Sequence, residues 1–147
     1  MPVWAAVVLP IVTGLIGVFG GLYGTWLGVA QAREQERRRV LGEAAGAYAS
    51  RVGGAANAVG YAVGTGQPAG RPVDEAENLV GEAANLVAPV ELLFDDETGT
   101  AARATRERLQ AAITALRAND PAGARDAFEQ AEEHRADFHR RARAAMW

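Results

Sequence analysis

No charged side chain occurs in the first 32 residues of the chain. A helix in a small soluble core cannot use an apolar run of that length, whereas about 20 such residues cross a bilayer. Within the run, Gly14, Gly17, Gly21, Gly24 and Gly28 recur at alternating steps of three and four. That spacing sets all five on one stripe of a helix. Residues 1–32 are therefore expected to form a transmembrane anchor with one smooth face. In lipid, burial from water does not drive helix pairing; close backbone approach does, and glycine permits the closest approach. The stripe predicts packing against a second copy of the chain or against a partner membrane helix.

The flanks of the run give its placement. On a helix, Trp4 and Trp26 stand roughly 33 Å apart, close to the ~30 Å hydrocarbon core. With Tyr23 they read as aromatic belts at the two interfaces. The whole run would measure roughly 48 Å, so its ends must tilt, fray or protrude, and Pro10 removes one backbone donor near its start. No basic side chain precedes the run, and Arg33, Arg37, Arg38 and Arg39 follow it. Basic residues stay on the inner side, so the N-terminus is expected outside and residues 33–147 in the cytoplasm of a bacterial cell. Ala30-Gln31-Ala32 resembles a signal-peptidase site, but a signal peptide needs a basic start and a short apolar core, and neither is present.

Beyond the anchor, about 115 residues remain, enough for one small domain. The chain lacks cysteine, and all 15 of its basic residues are arginine. Disulfides and thiolate metal sites are excluded. A net charge of −3 argues against a general nucleic-acid binder. The arginines nonetheless cluster, at Arg37, Arg38 and Arg39 and again at Arg140, Arg141 and Arg143.

Helical periodicity dominates after Gln31. In a first helix running out of the membrane, Leu41, Ala45, Tyr48, Val52, Ala55, Val59 and Val63 form an apolar stripe. The Gly- and Pro-rich stretch 64–72 is a loop. Pro72 opens a second helix with Val73, Ala76, Leu79, Val80, Ala83, Leu86 and Val87 inward. Pro89 stops or kinks it, and Val90, Leu92, Leu93 and Phe94 form a short apolar piece of about one further turn. The acidic stretch 95–100 reads as a connection, since its oxygens do not follow a calcium-loop pattern. A third helix over 100–118 buries Leu109, Ala112, Ile113 and Leu116. Asp120 caps a fourth that starts at Pro121 and buries Phe128, Ala131, Phe138, Ala142 and Met146. The expected fold is all-α: one N-terminal transmembrane helix followed by an antiparallel bundle of about four helices. In such a bundle the end of the fourth helix returns to the level where the first leaves the membrane. Arg140, Arg141, Arg143 and Trp147 are then expected at the membrane interface beside Arg37, Arg38 and Arg39.

No residue set specifies a reaction. His134 and His139 are five apart, and neither follows a glutamate by three, so the di-iron bundle signature fails. Glu132 and Glu133 are adjacent and diverge. The only serine, Ser50, sits in no nucleophile elbow, and a P-loop is impossible without lysine. Neither enzyme chemistry nor a cofactor or metal is expected. Thr13-Gly14-Leu15-Ile16-Gly17, Gly24-Thr25-Trp26-Leu27-Gly28, Arg37-Arg38-Arg39, Ala47-Tyr48-Ala49 and Leu86-Val87-Ala88-Pro89-Val90 carry a resemblance to a group of actinobacterial single-pass membrane proteins of uncharacterised function. The resemblance implies a glycine-rich N-terminal helix and a small helical cytoplasmic domain, and no activity. The expected function is that of a membrane-anchored interaction or scaffold protein that assembles through its glycine-striped span and presents its bundle to a cytoplasmic protein. A signal-transducing subunit of a membrane complex is the alternative. A holin-like pore is disfavoured because the span offers only Thr13 and Thr25 as polar side chains.

Overall fold

The computed structural model describes the backbone over 5–66 and 70–147, and side chains from residue 31 onward within those ranges. Among the described residues four helices follow one another: α1 (Ala5–Thr65), α2 (Arg71–Leu93), α3 (Asp96–Arg117) and α4 (Pro121–Met146). No strand occurs among the described residues, so the class is all-α. The chain divides into two units, Met1–Arg39 and Val40–Trp147. The second is the helical bundle.

Neighbouring helices of the bundle run antiparallel. On α1 and α2, Arg51 pairs with Glu82 at 2.8 Å, and a Cβ on Gly54 would stand 3.0 Å from Leu79. On α2 and α3, Glu91 pairs with Arg103, while Asp74, at the opposite end of α2, pairs with Arg117 at 3.2 Å. On α3 and α4, Glu97 at the start of one pairs with Arg141 near the end of the other. The fourth helix also returns along the first, with Met146 beside Gly42 and Phe128 beside Gly60.

The core explains why the helices pack so closely. About half of its buried apolar residues are alanine, so backbones can approach within the short end of helix packing distances. Tyr48 supplies the bulk at the centre. It is fully buried, its ring meets Phe138 edge-on at 4.9 Å, and its hydroxyl donates to the Ala102 carbonyl at 2.5 Å. One side chain of α1 thus ties α3 and α4 together. The inward positions expected on α1 and α2 are buried, except that Val63, Leu79 and Leu86 are only partly covered. Those on α3 are all buried, and on α4 Phe128 and Met146 pack at the edge of the core.

One expected boundary was open and another differs. Of the stop or kink expected at Pro89, the stop does not occur: α2 continues through the further turn to Leu93 and closes with Phe94 N–H bonded to the Val90 carbonyl. Proline in a helix costs about 3 kcal/mol. Here Pro89 faces solvent while Val87, Val90 and Phe94 on either side are buried, and that burial offsets the cost. The third helix begins at Asp96, before the expected start at Thr100. Asp95 is its N-cap, accepting from Thr98 N–H at 2.7 Å, and Asp96 and Glu97 favour the positive end of the helix dipole. The acidic stretch is therefore a helix start. The turn between α3 and α4 is a Schellman motif. Asp120 N–H reaches back to the Ala115 carbonyl and Asn119 N–H to that of Leu116, with Asn119 at φ 59° in the left-handed region. Asp120 then caps α4, as expected, by accepting from Gly123 N–H at 2.9 Å.

Candidate functional site

The residues expected to pack in the membrane, Gly14, Gly17, Gly21, Gly24 and Gly28, fall within the helical backbone of α1. Their surroundings lie outside the residues described with side chains, as do those of Trp4, Tyr23 and Trp26. Among the described residues, no helix is long and apolar enough to cross a membrane.

The first arginine cluster is described, and it is internally compensated. Arg37 and Arg38 reach Glu34 at 3.9 and 3.0 Å, and Arg39 reaches Glu36 at 2.7 Å. All lie one helical turn apart on exposed surface, where such pairs are worth a few tenths of a kcal/mol. The Arg39 guanidinium holds the Glu36 carboxyl below the usual carboxylate range. In the sequence this cluster reads as a dense positive patch; in the structure each of its arginines has a carboxylate beside it.

The second cluster sits at the end of α4. Arg140 donates to Asp137 at 2.5 Å, and Arg141 donates to the same carboxylate at 2.8 Å and to Glu97. Asp137 is held below the usual range by its bonds to Arg141 and Arg140. Arg143 has no acidic partner among the described residues and stays exposed. Trp147 is 89% exposed, so it does not cover the end of the core.

Two grooves lie nearby. One, of about 710 Å3, runs between α1 and α4 over Gly42, Ala45, Gly46 and Ala49, with His139, Arg143 and Met146 on its wall. Partial burial, with Arg135 and Arg143 near, pushes the His139 imidazole below its ordinary value. The other, of about 440 Å3, brings His134 beside Glu97, Asp137 and Arg141 on α3 and α4. His134 does not pair with Asp137, whose oxygens both serve arginines. Among the described residues, no group of three or more His, Asp or Glu side chains could hold a metal ion. The one buried side-chain polar atom without a hydrogen bond is Thr98 Oγ1, again among the described residues. It lies beside the Asp95 carboxylate, and that proximity together with the Thr98 N–H holds Asp95 below the usual range. Its geometry falls short of a hydrogen bond.

The arrangement defines a class: an alanine-rich bundle of four described helices, with ion pairs between neighbouring helices at Arg51–Glu82, Arg103–Glu91, Arg117–Asp74 and Arg141–Glu97. No family model matches the chain, and neither a curated protein nor a solved structure is detectably similar to it.

What sequence reading missed is the role of Leu92 and Leu93. Both lie with Val90 and Phe94 in the short apolar piece expected after Pro89, for which no inward face is assigned. The helical phase separates them: Val90 and Phe94 turn inward, whereas Leu92 and Leu93 turn out. Continuing the three-four periodicity of α2 through Pro89 would have found this.

Proposed function

We propose that the chain is a membrane-anchored helical interaction protein. Residues 1–32 cross the bilayer with the N-terminus outside, associate through Gly14, Gly17, Gly21, Gly24 and Gly28, and hold the bundle on the cytoplasmic side. The observation that carries this reading is the uncharged opening run with its unbroken glycine stripe. Support comes from the bundle itself. Ion pairs between neighbouring helices, Arg51–Glu82, Arg117–Asp74 and Arg141–Glu97 among them, brace it into a fixed surface of the kind a protein partner can recognise.

The test is chemical crosslinking in native membranes of the chain and of a variant carrying Gly21→Leu and Gly24→Leu. Two leucines on the stripe push the paired backbones apart, so the crosslinked oligomer should disappear while membrane insertion persists. An unchanged crosslinking pattern refutes association through the stripe. Recovery of the chain in the soluble fraction refutes the anchor.

A further inference from the structure

Among the described residues, the exposed large apolar side chains are Tyr61, Leu92, Leu93 and Trp147. Three of the four share one end of the bundle. Leu92 and Leu93 close α2 immediately before α3 begins, and Glu97 in the first turn of α3 pairs with Arg141 near the end of α4. Met146, next to Trp147, lies against Gly42 of α1. Leu92, Leu93 and Trp147 therefore surround the point at which α1 enters the bundle. Tyr61 lies near the other end, one turn before α1 terminates. Exposure at the first end is nearly complete for two of the three, 86% for Leu92 and 89% for Trp147, with Leu93 at 39%.

The charge at this end is mixed. Asp95 and Asp96 stand exposed, Glu91 is paired with Arg103, and Arg140 and Arg141 are engaged by Asp137 and Glu97. Arg143 is the one arginine of the α4 cluster without an acidic partner among the described residues. Such a surface has no strong attraction for an anionic one. Its distinguishing property is leucine and tryptophan offered to whatever lies beyond the helix ends, and these residue types suit the boundary between headgroups and acyl chains. The sequence supplies the neighbour: a short arginine- and glutamate-bearing stretch separates Val40 from the uncharged run. On the anchored reading, a bilayer is the surface that this end meets first.

We infer that the α1-entry end of the bundle rests on the lipid bilayer, with Leu92, Leu93 and Trp147 dipping into the interface, held by apolar burial and not by anionic headgroups. The inference depends on the anchored reading above and adds to it a second contact site, the α2–α3 turn. Three side chains would bind a membrane weakly from solution. Tethering makes the contact intramolecular and raises its effective concentration, so a weak contact suffices.

The absence of cysteine allows a direct test. The full chain is reconstituted in phosphatidylcholine vesicles as three variants, Leu92→Cys, Trp147→Cys and Tyr61→Cys, each labelled with an environment-sensitive fluorophore. All three positions are exposed, so the label leaves the core untouched. The labels at 92 and 147 should be quenched by nitroxide-bearing lipid and be severalfold less accessible to an aqueous quencher than the label at 61. Replacing part of the phosphatidylcholine by phosphatidylserine should not increase the protection. Three equally water-accessible labels on a chain that resists carbonate extraction would overturn the contact and leave the anchor standing. Labels at 92 and 147 shielded from water but not quenched by lipid would overturn it in favour of a second copy of the chain. Protection that appears only with phosphatidylserine would overturn the apolar mechanism. A chain extracted by carbonate would overturn the anchor and this inference together.

Discussion

Tyr48 gives the bundle a titration that no other side chain can mask. The chain has neither lysine nor cysteine, and arginine stays charged throughout the accessible range. Tyrosine is therefore the only side chain that loses a proton between about pH 9 and 12. Burial pushes the Tyr48 phenol well above its ordinary value, and the Arg106 guanidinium nearby reverses only part of that rise. Below about pH 10 the folded and unfolded states both keep the proton, and the shift has no effect on stability. Above it the unfolded state releases the proton while the folded state retains it. The unfolded state then binds fewer protons, so stability falls with pH, by about 1.4 kcal/mol per unit for one such group. Tyr48→Phe removes this slope. At neutral pH the same substitution should cost only about 1 kcal/mol, the net worth of one hydrogen bond, because the Ala102 carbonyl remains within the backbone ladder of α3 and is not orphaned. The ring contact with Phe138 is kept. Tyr48→Ala, which empties the centre of the core, should cost about 3–5 kcal/mol. The assay is urea unfolding followed by far-UV circular dichroism, on the full chain in non-ionic detergent, at half-unit steps from pH 7 to 11.5. The native chain should start less than 2 kcal/mol above Tyr48→Phe and converge on it as the pH passes 10. Parallel alkaline limbs for the two proteins would refute the burial of this hydroxyl, because Tyr23 and Tyr61 are common to both.

Other perturbations separate caps, close approaches and a buried hydrogen bond. Asp95→Ala removes the cap of α3 and should destabilise the bundle by about 1 kcal/mol in the same urea assay. The pH dependence of that loss follows from the lowered Asp95 carboxyl: the stabilisation is present above the unfolded value near 3.9 and fades as pH falls through the folded value. Gly99→Ala should cost about 1–2 kcal/mol, since a Cβ there would stand 2.9 Å from Glu91 Cγ and 3.4 Å from its Cα. Gly53→Ala and Gly81→Ala meet nothing within 4 Å, and each should instead stabilise by about 0.5–1 kcal/mol through helix propensity. Destabilisation by both would show that these helix faces are covered. Thr105→Val gives up the bond of the buried Thr105 Oγ1 to the Ala101 carbonyl at 2.7 Å and should cost about 1 kcal/mol or less in the same assay.

Legibility in this chain follows the range of the interactions involved. Apolar spacing is local, and it placed the large core residues of the four helices from Leu41 to Phe138, while the small Ala56, Ala62, Ala101, Ala102, Ala124 and Ala127, also buried, were missed because alanine carries little signal of which face is inward. Capping chemistry is also local: Asp120 followed by Pro121 marked the start of α4 correctly. The boundaries left open or misread are those where a local signal competes with burial some residues away. Pro89 is a strong breaker taken alone, yet Val90 and Phe94 are buried in the core and keep the helix running. Asp95, Asp96 and Glu97 look like a solvated turn until α3 is seen to need a cap where Thr98 and Gly99 are already buried. The charges were legible in kind and misleading in strength. Arg140 and Arg141 form part of a basic run in the sequence, but the fold brings Glu97 from more than forty positions away to the same helix end, and of the three clustered arginines Arg143 alone has no acidic partner among the described residues. The exposed apolar end of the bundle was half legible: antiparallel order already returned Trp147 to that level, whereas Leu92 and Leu93 in the last turn of α2 were not marked as exposed. It exists because neighbouring helices are antiparallel, and antiparallel packing is what returns residues 92, 93 and 147 to the level at which α1 enters the bundle.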